Sequence, residues 1–402
     1  MTGAGTGAGQ TTDRSTASPG DRIEEVERPL PGERFVYLDN LKALLIAGII
    51  AAHALIGYAD LGSWSYQDIQ EVTLSPVVET VFEVAFLSLG GLFLMALFFL
   101  ISGLLTEDSL ARHGASRFVH DRFLRLGLPF AVYTLLLWPL FEFALLEPYL
   151  HRGSYWDYLG DTDPVLDNGP MWFVGVLLIY SLGYVVWRTR VPRPVFSSGS
   201  LGGRQLLILA AGVAASTFLV RLMFPIDSGQ PLNLHLWQWP ECVVMFGLGV
   251  VAARRGWLRP VPEALARRCG IATLIATLVM LIAVLSADPL GIDEEAFLGG
   301  WQVPALITAI VEAVLVVAGP IWVLAAAQRH LNRSGPVRRA MTRSSYAAFM
   351  LQGPVLFGLA LALRPFDLPG DIKALVVATL GIVGSFTLAW SLVTRTPLRR
   401  IL

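Results

Sequence analysis

Ten long apolar runs, separated by connections that gather the charge, constrain this chain more than any other feature of it. They fall at about residues 38–59, 80–105, 124–147, 171–188, 205–224, 237–253, 268–287, 301–326, 344–363 and 372–394. Each is long enough to cross a hydrocarbon core of about 30 Å as a helix. A bilayer offers the backbone no other way to satisfy its polar groups except a closed barrel. With 54% hydrophobic and 15% charged residues, the chain is too apolar for an average soluble domain. The expected fold is all-α: a polytopic membrane helical bundle of about ten transmembrane helices.

The connections alternate in sign. Arg112, Arg117, Arg122 and Arg125 are followed in every second connection by Arg188, Arg190, Arg193 and Arg204, then Arg254, Arg255, Arg259, Arg267 and Arg268, then Arg329, Arg333, Arg338, Arg339 and Arg343. They alternate with Asp60, Asp68, Glu71 and Glu79, then Asp157, Asp161, Asp163 and Asp167, then Asp288, Asp293, Glu294 and Glu295. By the positive-inside rule both termini are expected in the cytoplasm. Residues 1–33, rich in Gly, Thr, Ser and charge, read as a disordered cytoplasmic tail without a signal-peptide pattern. Residues 34–394 form the membrane domain, and 395–402 a short basic cytoplasmic tail.

Composition removes several classes of function. A formal net charge of −1 gives no reason to expect a nucleic-acid partner. Two cysteines, Cys242 and Cys269, supply neither a disulfide framework nor a Cys-based metal site, and no metal is expected. Lys42 and Lys373 are the only lysines. That arginine bias reads as a G+C-rich bacterial gene, and hence as a protein of the bacterial plasma (inner) membrane with the lipid bilayer as its first partner.

The first run carries Asp39, Lys42 and His53 among apolar neighbours. At about 100° and 1.5 Å per residue, Lys42 and His53 share one helix face roughly 16 Å apart, with Asp39 within about 60° of it. Ionisable residues in a membrane helix are costly and usually face an interior or a wet cavity. Lys42 and Asp39 lie near the helix start, where snorkelling to the interface is an alternative. His53 is too deep to snorkel. It is either a structural hydrogen-bonding residue or a proton-handling imidazole.

The run Tyr37-Leu38-Asp39-Asn40-Leu41-Lys42, with His53 after ten intervening residues, resembles the first helix of the acyltransferase 3 family of integral membrane acyltransferases. In that family the basic residue is more often Arg, and the His is taken as catalytic. Four further stretches are similar. Phe98-Phe99-Leu100-Ile101-Ser102-Gly103-Leu104-Leu105 matches a Phe-Phe-x-x-Ser-Gly-Phe-Leu element with Leu104 in place of Phe. Packing through small residues alone would also explain Ser102 and Gly103. Arg122-x-x-Arg125 followed by Pro129 resembles the element near the acyl donor, beside the alternative of positive-inside anchoring. Its two guanidinium groups, on one face at i and i+3, suit phosphate oxygens. Trp172-Phe173-Val174 resembles a Trp-Phe-Leu branch that includes glucan-succinylating members; interfacial anchoring is the other reading. Ser345-Tyr346-Ala347-Ala348-Phe349-Met350-Leu351-Gln352 resembles Tyr-x-x-Tyr-Leu-x-His but departs from it at Phe349, Met350 and Gln352, so a two-histidine mechanism does not carry over.

Outside these motifs, loop 225–240 gathers Asn233, His235, Trp237, Gln238 and Trp239 ahead of Glu241. The loop suits a sugar acceptor or an ordinary interfacial aromatic cluster, and Glu241 is expected near the headgroup zone. Glu83 reads as a single acid within the second span, with a hydrogen bond to a neighbouring helix as its ordinary role, and Glu312 as an isolated buried acid in the eighth, open to the same satisfaction by a neighbouring helix. The acidic loop with Asp157, Asp161, Asp163 and Asp167 reads as solvated, with a cation or a sugar as the alternative.

The resemblance implies an O-acyltransferase that moves an acetyl- or succinyl-class group from acyl-CoA to a hydroxyl of a carbohydrate, glycolipid or secondary metabolite. His53, Lys42 and Asp39 are expected at the chemistry, with His53 as general base and Asp39 beside Lys42 at the donor. Arg122, Arg125 and Ser102 are expected to hold the acyl-CoA, and Trp172, Tyr346, Gln352, Trp239 and Glu241 the acceptor. The alternatives are a transporter of a polar solute and a catalytically silent relative. A homodimer is an assembly left open.

Overall fold

In a computed structural model, the structure describes residues 2–3, 35–60, 64–86, 91–150, 153–161, 167–191, 200–226, 228–293 and 295–397. The chain divides into Met1–Phe35 and Val36–Leu402, and the helices all belong to the second unit. The expected disordered tail at 1–33 lies outside the described residues apart from 2 and 3, as do residues 398–402 of the expected C-terminal tail.

The described residues are helical, without a strand. In order the helices are α1 Val36–Ile56, α2 Pro76–Ala85, α3 Gly91–His113, α4 Ala115–Arg122, α5 Leu128–Val132, α6 Trp138–Leu150, α7 Tyr155–Asp161 and α8 Trp172–Arg190. They continue with α9 Gly203–Arg221, α10 Trp239–Arg255, α11 Glu263–Leu290, α12 Glu295–Leu298, α13 Val303–His330, α14 Pro336–Leu363 and α15 Gly370–Arg395. Among the described residues, ten stretches are long and apolar enough to cross a membrane, so the chain is a multi-pass membrane protein. Arg254 pairs with Glu107, Arg259 with Asp108, and Asn40 donates to the Arg333 carbonyl, so Arg-bearing ends of α3, α10 and α13 meet the start of α1 at what is here the basic end.

The second span needs correcting. The expected run 80–105 is two helices, α2 and α3, and the spanning one continues to His113. Glu83 therefore sits on α2, outside that span. Hydropathy overlooked the division because both pieces are apolar.

The third span, Ala115–Leu146, contains two π-helical turns, Phe123–Gly127 and Tyr133–Leu137. Each is followed within two residues by a proline, Pro129 and Pro139. Proline lacks an N–H, and its ring clashes with the carbonyl four residues back. Those carbonyls belong to Arg125 and Leu135, inside the two π-turns. Widening the turn relieves the clash without ending the helix.

Helix α13 is central, packing against α1, α3, α9, α10 and α11. Helices α9 and α11 lie at the margin and turn rows of apolar side chains outward, among them Leu207, Ile208, Ile271, Leu274, Ile275 and Ile282, as a lipid-facing helix requires. Helices α3 and α10 approach closely. A Cβ on Gly103 would stand 2.1 Å from the Phe246 carbonyl oxygen, and one on Gly249 2.3 Å from that of Leu100. Backbones meet there as small residues allow.

Away from the basic end, Arg221 at the close of α9 donates to both Glu312 oxygens, at 2.5 and 2.8 Å. Glu241 lies 3.5 Å away. Arg221 is thus the neighbouring-helix partner allowed for Glu312. One expectation changes: Glu241 is fully buried instead of resting among headgroups, beside the cation that a buried carboxylate needs.

Candidate functional site

Helix α1 presents Asp39, Lys42, Ile46, Ile49 and His53 at steps of three and four residues, one continuous stripe from the basic end inward. The first four line a cavity of about 280 Å³. Helix α14 supplies the facing stripe, Thr342, Ser345, Tyr346 and Phe349; α3 contributes Phe98, Ile101, Ser102 and Leu105, and Phe173 and Arg122 complete the wall. Charge collects at one end of this cavity and aromatic or branched apolar groups at the other. One turn beyond Ile49 and Phe349, the stripes meet: His53 Nδ1 lies 3.2 Å from Gln352 Oε1.

At the charged end Lys42 Nζ stands 3.4 Å from Asp39 Oδ1, the pairing expected of them. Arg122 donates to Thr106 Oγ1 at 3.4 Å and lies over the Phe118 ring at 4.8 Å. Arg125 departs from expectation. It is exposed and does not line the cavity. The assumed i, i+3 pairing presupposes an α-helix, whereas Arg125 lies inside the first π-turn, where that spacing no longer makes neighbours. Ser102 lines the cavity, while its neighbour Gly103 makes the close approach to α10.

His53 Nδ1 also lies 3.0 Å from the Ile49 carbonyl oxygen. That oxygen only accepts, so Nδ1 carries the proton and Gln352 must turn its own oxygen toward it. The lone pair of the neutral ring then resides on Nε2. The Trp64 ring lies 4.5 Å from the imidazole, with Trp138 and Phe357 behind Trp64 at 5.7 and 5.2 Å. Tyr133, from the second π-turn, stacks on Trp138 at 5.8 Å.

The acceptor residues expected from sequence separate. Tyr346 lines the cavity, and its buried hydroxyl has no partner among the described residues. Gln352 holds His53. Trp172 does not line that cavity; its ring stacks on His235 at 4.6 Å, and His235 on Trp237 at 5.5 Å. The Arg221 guanidinium lies over Trp237 at 5.4 Å, so the buried ion cluster supports this stack from below. Trp239 donates to the Leu234 carbonyl at 2.8 Å and pins the loop instead of lining the cavity. Glu241 belongs to the ion cluster, away from the cavity.

The loop holding His235 is constrained. Leu232, Asn233 and His235 all have positive φ, uncommon for non-glycine residues and characteristic of functional sites. Asn233 donates to Asp167 Oδ1 at 2.9 Å, Trp138 Nε1 to Asp167 Oδ2 at 3.0 Å, and Asn168 to the Leu232 carbonyl. Asp167 is thus a structural tie and not a solvated loop acid. Asp157 is exposed, and the Ser154 hydroxyl and N–H hold its carboxyl below the usual range. Asp163 and the Asp161 side chain lie outside the described residues. Burial lowers the His235 imidazole to about 4, with nearby His53 acting in the same direction.

Sequence reasoning missed Tyr133, Trp138, Trp64 and Thr106. Only the Tyr133–Trp138 segment carried a signal, the two prolines ten residues apart within one apolar run. Among the described residues, no group of three or more His, Cys, Asp or Glu is placed to hold a metal.

A family model for an acyltransferase domain, acyltransferase 3, matches residues 35–394. No curated protein and no solved structure matches the chain.

Proposed function

Because the chain belongs to the acyltransferase 3 family, we propose that it transfers an acyl group from acyl-CoA to a hydroxyl, with His53 as general base. The observation that carries this reading is the stripe running from Lys42 and Asp39 along the cavity wall to an imidazole whose Nδ1 is committed to the Ile49 carbonyl.

The donor enters from the basic end, the cytoplasmic side under the positive-inside rule. Lys42 and Arg122 meet its phosphates, since charge-assisted bonds to phosphate oxygens are the strong ones. The flexible pantetheine arm follows the stripe inward for a distance like the roughly 16 Å between Lys42 and His53. The thioester then lies near His53. The acceptor hydroxyl attacks the carbonyl carbon while His53 Nε2 takes its proton. The intermediate collapses by breaking the C–S bond, and the proton passes to the departing thiolate. Base catalysis of this kind contributes typically about 10²–10⁴-fold. The acceptor belongs on the far side of His53, where Trp172 and Trp237 flank His235 and Trp64 covers the imidazole. Such flat faces suit a sugar ring, so a carbohydrate or glycolipid is the proposed acceptor, acetyl or succinyl the proposed group, and a bacterial plasma membrane the proposed location.

The test is His53→Gln, which keeps hydrogen-bonding capacity but not proton acceptance near neutral pH. The purified variant is expected to insert and bind acyl-CoA as the parent does, and to lose transfer. Transfer at the parental rate would refute the role of His53. Absence of donor binding in the parent itself would refute acyl-CoA as the donor.

A further inference from the structure

Among the described residues, two of the buried hydrogen-bond donors without a partner are Gln352 Nε2, on the amide that meets His53, and the Tyr133 hydroxyl. With Oε1 turned to His53, Gln352 leaves Nε2 fully buried and unpaired. The Tyr133 hydroxyl, 1% exposed as a residue, is likewise buried and unpaired. The two groups come from different helices, and the Tyr133 hydroxyl lies against Gly353, the residue next to Gln352 in α14. A Cβ there would stand 2.6 Å from Trp138 Cζ3 and 3.5 Å from Tyr133 Oη. Glycine at 353 thus lets the second π-turn bring its tyrosine against the backbone beside Gln352. Buried donors are nearly always satisfied, and an exception calls for an explanation, a catalytic role among them. π-turns also concentrate at functional sites.

We infer that Gln352 Nε2 and Tyr133 Oη form the oxyanion site of the reaction, holding the carbonyl oxygen of the thioester as it gains charge. This rests on the acyl-CoA reading and extends it. As the acceptor oxygen bonds to the carbonyl carbon, the C=O electron pair moves onto oxygen, where the two donors receive it. His53 Nε2 holds the proton lost by the hydroxyl. On collapse the C=O re-forms, the C–S bond breaks, and the proton goes from His53 to sulfur, leaving ester and free thiol. Gln352 then has two tasks: its oxygen fixes the His53 tautomer, and its unpaired nitrogen is left for the substrate carbonyl. The gain over a catalytic imidazole at this position is that an amide donates without titrating. Donors already fixed in a dry site need no reorganisation when charge develops, and removing one typically costs about 10²–10³-fold in rate.

The test compares two CoA derivatives on the full-length protein in detergent or nanodiscs. S-ethyl-CoA probes donor binding alone. The trifluoromethyl ketone analogue of acetyl-CoA, hydrated at its carbonyl, presents the tetrahedral carbon and its oxygens. Tyr133→Phe keeps the ring and its stacking on Trp138, and Gln352→Met keeps length. Both variants are expected to bind S-ethyl-CoA within a factor of two of the parent. Affinity for the ketone is expected to fall about 10²-fold. Parental affinity of both variants for both analogues would overturn the proposal, as would an equal loss for both analogues or a parent showing no preference for the ketone. If Gln352→Met does not fold, Tyr133→Phe decides alone. A parent that binds neither analogue would refute the acyl-CoA reading, and this proposal with it.

Discussion

The Arg221–Glu312–Glu241 cluster makes an asymmetric prediction. Arg221 is 2% exposed and both acids are fully buried. The guanidinium spans Glu312 with bonds of 2.5 and 2.8 Å, and Glu241 stands at 3.5 Å. Arg221→Met leaves two buried carboxyls facing one another without a cation, and stripping a buried pair in this way costs about 3–5 kcal/mol. Glu312→Gln is milder because Glu241, 3.5 Å from the guanidinium, is placed to take over as its counter-charge. What is lost is charge-assisted hydrogen bonding, about 1.5–3 kcal/mol. Replacing all three residues with Met removes every charge together and is expected to recover much of the loss, since well-packed apolar groups often match a buried ion cluster. Unfolding by SDS titration at fixed pH, followed by far-UV circular dichroism, ranks the variants. The expected order of midpoints is parent, Glu312→Gln, then Arg221→Met, with the triple variant above Arg221→Met. A Glu312→Gln midpoint below that of Arg221→Met, or a triple variant no better than Arg221→Met, would refute the reasoning.

Gly103→Ala must part α3 from α10, because its Cβ would meet the Phe246 carbonyl; a loss of about 1–3 kcal/mol is expected in the same titration. Gly48→Ala, with nothing within 4 Å, is the control, and equal midpoints for the two would remove the close approach. Arg122→Ala is expected to weaken acetyl-CoA binding by about tenfold or more, whereas Arg125→Ala leaves it within twofold; calorimetric titration showing equal losses would restore the two-arginine site. His235, held at about 4 when folded against about 6.5 when unfolded, binds fewer protons in the folded state. Its contribution is therefore intact above pH 6.5 and is eroded as pH falls toward 4. His235→Gln is expected to flatten the parental drop in thermal midpoint between pH 7 and 5, and an unchanged drop would exclude the histidine.

Much of the architecture was legible because hydropathy and helical period are local. Lys42, Ile46, Ile49 and His53 fall on one face by counting alone, and the cavity follows that face. Partnerships were not legible where they span the chain. Gln352 meets His53 across 299 positions and Glu312 meets Arg221 across 91, and no period within either helix encodes those meetings. Glu241 illustrates the resulting error: at the start of a span it resembles a headgroup residue until the cation from α9 is known. His235, placed among interfacial aromatics by composition, owes its position to a backbone of positive φ held by Asn168 and Asp167.

The misplaced Arg125 has a different origin, since its cause was in the sequence. An α-helical phase was carried through Pro129, although proline removes one hydrogen bond and pushes away the carbonyl four residues back. A π-turn absorbs that conflict by admitting one extra residue, rotating the rest of the helix by about one residue's 100°. Pro129 and Pro139 do this twice in the third span. Arg122, ahead of the first turn, keeps its place on the cavity, while Arg125, within it, turns out. The second turn holds Tyr133 buried, and Trp138, just beyond it, closes on Trp64 and Phe357. An unbroken α-helix cannot give both arrangements, because the phase that suits the basic end does not carry through to the histidine. The spacing of the two prolines therefore belongs to the site as much as the charged residues do. Replacing Pro139 with Ala removes the clash at Leu135, and is expected to withdraw Tyr133 from Gln352 while leaving Arg122 in place. In the two-analogue comparison, Pro139→Ala is then expected to match Tyr133→Phe, with S-ethyl-CoA binding retained and preference for the ketone lost. Retention of that preference would show that the π-turn does not set the tyrosine.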